Sequence, residues 1–267
     1  MNRASQLVRS SLRALRRSTL WWAAAVVGFS ALNLAFWPSL RDSAALSELE
    51  GMSDDLLAAF GAQHLSTPAG YLDGQMYALM LPVLLSIMVV ASVTAITSGD
   101  EGAGRSELLH VLPITRREIW VARLVAALLQ LAAVTATLGL VVVFLRSPLS
   151  MEEVPIERIV AATIACGLLA MFHAVLAWSA GALGRSRPAC VSVAIGVLVA
   201  GYLMDFVIPL ARSLRGIRRA SPWWWAIGDQ PVSDGIRAGW LLLLVATTLA
   251  VAAVGAVAVE RRDIAAA

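Results

Sequence analysis

Four polar side chains sit inside runs that are otherwise apolar: Asn33, Gln130, His173 and Asp205. Amides, an imidazole and a carboxylate at membrane depth are groups that line a cargo path, relay protons or catalyse, because each is costly in hydrocarbon unless used or paired. Their spacing assembles no catalytic set. The three histidines are scattered with no two at metal-binding spacing, and no Ser-His or paired-carboxylate arrangement is legible within the apolar runs. Asp205 stands near the end of its run, where about five residues of helix rise reach the headgroups. A snorkelling or Arg212-paired carboxylate and a cargo or proton site therefore remain open readings. His173, near the centre of its run, reads first as a hydrogen-bonded packing residue.

The second stretch with chemical capacity is a charged island, residues 99–120, GDEGAGRSELLHVLPITRREIW. Thr115 stands three residues before Glu118, the spacing of a capping box, and Ile114 and Ile119 fall where a hydrophobic staple needs its pair. A helix is expected to begin at Arg116. Before it, residues 106–112 are short and apolar on one side, and Pro113 prevents smooth continuation because it lacks the amide donor and clashes with the preceding turn. Helix, break, helix at a membrane surface is a contact able to pass a push from a soluble partner into the span that follows. A plain charged loop is the alternative.

The elements that must hold these residues follow from composition. The chain has 267 residues, 59% hydrophobic and 15% charged, with a mean hydropathy of +0.76, which marks an integral membrane protein. Six runs are long enough to cross a bilayer, near residues 20–36, 76–97, 121–145, 159–183, 189–210 and 238–259. The expected fold is all-α, a polytopic bundle of six transmembrane helices, with Pro82 interrupting the second early. Residues 1–19 carry Arg3, Arg9, Arg13, Arg16 and Arg17, with Val8, Leu12 and Leu15 on another face, and read as an amphipathic interfacial helix. Residues 20–267 then form a single membrane domain. The long basic head and the lack of a small-x-small cleavage site favour an uncleaved first span over a signal peptide. Trp21, Trp22 and Trp37 bracket that span as interface anchors. Residues 38–75, with Asp42, Glu48, Glu50, Asp54, Asp55 and Asp73, read as an acidic outer loop.

Cys166 and Cys190 lie inside apolar runs and read as packing residues. Every basic side chain is arginine. Without lysine the chain cannot supply a standard phosphate loop, which ends in Gly-Lys-Ser/Thr. Counting arginine with both termini inside places thirteen on the inner side and eight on the outer. The cluster Arg212, Arg215, Arg218 and Arg219 then falls outside. Leu210, Leu214 and Ile217 interleave with it at helical spacing, as in an interfacial helix held by Trp223 to Trp225.

Glu101, Arg105, Glu107, Leu108, Leu109, Pro113, Thr115 and Arg116, in this order after a second span, resemble a motif of the ABC-2 type transporter permeases, the membrane subunits of bacterial ABC exporters. Gly104-Arg105-Ser106 fits the form in which Gly-Arg precedes the second glutamate. Arg261-Arg262-Asp263 looks like that family's closing R-R-D, and Gly70 to Leu72 resembles its drug-exporter branch. The resemblance implies that the island is a cytoplasmic coupling helix docking in a groove of a separate ATPase subunit. Apolar anchors rimmed by charge suit such docking, and Leu108, Leu109, Val111 and Leu112 with Arg105, Glu107, His110 and Arg116 supply them; Leu112 and Glu118 complete the expected coupling set.

It further implies two ATPase copies holding ATP and Mg, a second permease copy or a related permease, and residence in a bacterial plasma membrane with both termini cytoplasmic. A hydrophobic or amphipathic cargo is then expected, a drug, antibiotic or lipid, with no nucleic-acid partner, no catalytic residue and no cofactor on this chain. Two other classes stay open: an intramembrane enzyme built on His173 and Asp205, and a non-transporting membrane partner of a signalling ATPase. A cysteine replacing Arg215 tests the topology: labelling by a membrane-impermeant reagent added outside is expected, and protection there overturns the six-span map.

Overall fold

A computed structural model describes residues 3–42, 67–103, 115–208, 211–228 and 230–265. Those residues are helical without a strand, and six helices are long and apolar enough to cross a membrane. We label them α1 (Arg3–Arg41), α2 (Pro68–Gly102), α3 (Arg116–Arg146), α4 (Ile156–Ala182), α5 (Arg187–Val207) and α7 (Ala238–Ala265), with a one-turn helix α6 (Pro222–Ala226) between the last two. In lipid no water satisfies backbone groups, so each span keeps its amide bonds within itself. Six threonines inside the spans obey the same constraint. The hydroxyls of Thr94, Thr97, Thr137, Thr163, Thr247 and Thr248 each donate to the carbonyl four residues earlier.

The basic head runs unbroken into the first span. No glycine or proline separates them, and the polar residues that might cap a new helix bond within the existing one: Thr19 Oγ1 donates to the Leu15 carbonyl at 3.0 Å and Ser10 Oγ to that of Leu7 at 2.8 Å. The 39-residue helix is about 58 Å long at 1.5 Å per residue, against a hydrocarbon slab of about 30 Å. Its length therefore carries the head beyond the slab.

Helix α2 breaks at Leu79, where φ is −139°. The cause is Pro82, which has no amide to give to the carbonyl of Ala78. The indole N–H of Trp223 donates to that carbonyl instead, at 3.1 Å. A helix defect in lipid is thus repaired from α6.

Helix α4 lies at the centre, touching α2, α3, α5 and α7. Ala162, Ala165, Ala170, Ala174 and Ala177 are fully buried along it, and such small residues let neighbouring backbones approach closely. Helix α1 packs chiefly on α3. Helix α4 also crosses α7 closely: a Cβ at Gly255 would lie 2.5 Å from both Trp178 Cζ3 and Ser179 Oγ. Trp178 has no room to yield, being 1% exposed and fixed by its indole bond to the Trp120 carbonyl. Gly255→Ala is therefore expected to destabilise the bundle by about 1–3 kcal/mol, read as a lower thermal midpoint in detergent. Gly196→Ala, whose Cβ meets nothing within 4 Å, is expected to leave the midpoint unchanged or higher.

Candidate coupling site at the elbow

At one end of the bundle the last turn of α2 meets the first turns of α3. Thr115 adopts an extended backbone (φ −72°, ψ 147°), and its hydroxyl accepts the Glu118 amide at 3.2 Å. Glu118 Oε2 in return accepts the Thr115 amide at 2.9 Å, completing the capping box. Arg116 pairs with Glu101, and Arg123 with Asp100 at 3.2 Å. Both pairs cross from α3 to α2. Removing one partner of a fully buried pair costs about 3–5 kcal/mol, and these four side chains, between 9% and 23% exposed, hold somewhat less than that.

Further contacts carry the elbow into the bundle. Trp120 meets Trp178 of α4 edge-on with centroids 6.2 Å apart, and the Trp178 indole donates to the Trp120 carbonyl at 3.1 Å. Arg117 pairs with Glu260 near the end of α7. Val8 of α1, Thr115 and Glu260 line one cavity of about 680 Å³, so both ends of the described chain lie at the elbow end. Displacing either arm must therefore move α4 and α7 as well.

Of the ten residues expected to couple, Glu101, Thr115, Arg116 and Glu118 are described and converge here. Arg105, Glu107, Leu108, Leu109, Leu112 and Pro113 lie outside the described residues, as does Ile114 of the expected staple. Its other half, Ile119, is buried.

The four polar residues within the spans do not come together. Asn33 Nδ2 donates to the Phe29 carbonyl at 3.3 Å, and the Asn33 carbonyl accepts the Tyr71 hydroxyl at 2.7 Å, tying α1 to α2. Gln130, buried on α3, reaches Ser18 of α1 at 3.5 Å. Asp205 is buried on α5 and pairs at 3.3 Å with Arg218; the Arg212 side chain, the other expected partner, lies outside the described residues. The Arg218 guanidinium also donates to the Gly228 carbonyl at 2.8 Å and lies 3.5 Å from the ring centre of Trp224.

His173 does meet a serine, Ser86 of α2, 3.3 Å from its Nδ1. Eighty-seven residues separate the two, so no local spacing announces the pair. That nitrogen lies 2.8 Å from the Leu169 carbonyl, an obligate acceptor, so it carries the hydrogen and cannot also take the serine proton. This geometry packs two helices and does not activate a nucleophile.

Sequence reasoning passed over the residues that organise the far end. Asp73, read as part of an acidic loop, is buried in α2 and accepts the amides of Val232 and Ser233 at 2.9 and 2.8 Å. Arg158 of α4 donates to the carbonyls of the same two residues. The interleaved arginine stretch is a 3₁₀ helix, Arg212–Ala220. Cys166 and Cys190 are free and buried.

No curated protein and no solved structure matches the chain. A family model described as the multidrug efflux system permease Rv1217c, C-terminal domain, matches residues 8–259. That match covers nearly the whole six-helix bundle, elbow arms included, and the chain belongs to this family of multidrug efflux permeases.

Proposed function

We propose that this chain is the permease subunit of an ABC exporter of the ABC-2 type. Two six-helix units, two copies or this chain with a related permease, form the membrane half. A separate pair of ATPase subunits, which hold ATP and Mg, docks at the elbow on the cytoplasmic side, and both termini share that side. The observation that carries this reading is the doubly paired elbow: Glu101 with Arg116 and Asp100 with Arg123 make α2 and α3 one lever. Absence of lysine from the chain supports placing ATP on the partner, and the family description supports efflux. A hydrophobic or amphipathic cargo, a drug, antibiotic or lipid, suits a bundle of six strongly apolar spans. Closure of the ATPase pair swings the two levers and turns the cavity from inward to outward facing.

The test uses the full chain with a co-expressed ATPase. Leu108→Asp with Leu109→Asp should leave insertion normal and lower ATPase recovery on membranes about tenfold or more; normal recruitment removes the elbow from this role. In vesicles, Arg116→Glu should stop ATP-driven drug movement and Glu101→Arg added to it should restore much of it. A wild-type complex that binds the ATPase and moves no drug supports the signalling-partner reading instead.

A further inference from the structure

A cleft of about 420 Å³ opens between α4, α5 and α7 at the elbow end. Leu176, Leu183, Val193 and Val254 form its apolar wall, and Leu183, Val193 and Val254 are 60%, 44% and 58% exposed to what in a membrane is lipid. Its hydroxyls are already committed. Ser179 Oγ donates to the Val251 carbonyl at 2.9 Å, and Thr247 Oγ1 to that of Leu243 at 2.8 Å. Among the described residues no carboxylate lines it. The one charged group is Arg185, exposed at its mouth in the turn joining α4 to α5, with no ion pair among the described residues.

The turn beneath Arg185 is pinned. Gly184 takes φ +85°, a left-handed conformation that suits glycine, and the Arg185 amide donates to the Ala180 carbonyl at 3.2 Å. The thiol of Cys190 donates to the Arg185 carbonyl at 3.5 Å. The guanidinium therefore projects from a fixed point at the boundary between the span and the headgroups. From Leu176 to Leu183 the slot follows α4 for about 10 Å, enough for the upper part of an acyl chain.

We propose that this cleft holds an anionic phospholipid, its acyl chain lying along α4 and α7 and its phosphate on Arg185. A basic mouth between spans at the membrane surface selects net negative headgroups. A zwitterionic lipid would bring its own cation against the same guanidinium, and among the described residues neither the cleft nor the turn offers a carboxylate to receive it.

The experiment is native mass spectrometry of the full chain released from membranes holding equal phosphatidylglycerol and phosphatidylcholine. Wild type should retain phosphatidylglycerol preferentially. Arg185→Gln, which removes the headgroup contact, and Ala250→Trp, which fills the slot from an exposed position on α7, should each lower that retention about fivefold. Arg185→Lys should keep most of it. Arg187→Gln should keep it in full, because Arg187 packs against Gly99 and does not line the cleft. Equal retention of the two lipids by wild type, wild-type retention by either disrupting variant, or an equal loss in Arg187→Gln overturns the proposal.

Discussion

Apolar helices in lipid have no hydrophobic reason to prefer one another to acyl chains, so packing detail and polar contacts must select the arrangement. Here the selection is made by a few charged side chains at the two ends of the bundle. At the elbow end, Asp100, Glu101 and Glu260 receive Arg123, Arg116 and Arg117. At the far end, Asp73 and Arg158 grip the amide and carbonyl sides of Val232 and Ser233, and Asp205 holds Arg218. Between them the wall is made of small residues, aromatic edges and hydroxyls, most of the threonines turned back on their own helices and Ser86 and Ser179 reaching across to a neighbour. A carboxylate in such a place is costly unless answered, so each pair fixes which helices adjoin and at what height.

The far-end ties have a shared consequence. The segment after α5 is bound at Asp205, Ala78, Asp73 and Arg158, which reside on α5, α2 and α4. Ser221 adds a bond to the Gly201 carbonyl at 2.7 Å. That segment closes one end of the bundle firmly, while the other end carries the ion-paired ends of α2 and α3. Such an asymmetry is what the proposed drive from one side requires.

Much of this was legible in the sequence because the solvent is severe. Six apolar runs had to become six spans, and each observed helix contains most of its run. The capping box at Thr115 and Glu118 was legible because it is local, three residues wide. What sequence could not supply was long-range choice. Asp73 looks like its acidic neighbours until Val232, some 160 residues on, is laid against it, and nothing local to Asp205 singles out Arg218 as a partner. Ser86 and His173 are the same case. One long-range signal was present and readable: Pro82 must free the Ala78 carbonyl, and a tryptophan run elsewhere in the chain offered donors. The continuity of the head with the first span was also visible, as the absence of glycine and proline between Arg3 and Val27.

The central claim is that the ends of α2 and α3 move as one rigid lever. Spin labels at Ala103 and Val121, both exposed and flanking the two ion pairs, measure this directly in the chain reconstituted with the proposed ATPase partner. The account predicts one narrow distance distribution that is the same without nucleotide, with ATP trapped and after hydrolysis. A distribution that broadens or shifts between those states contradicts it.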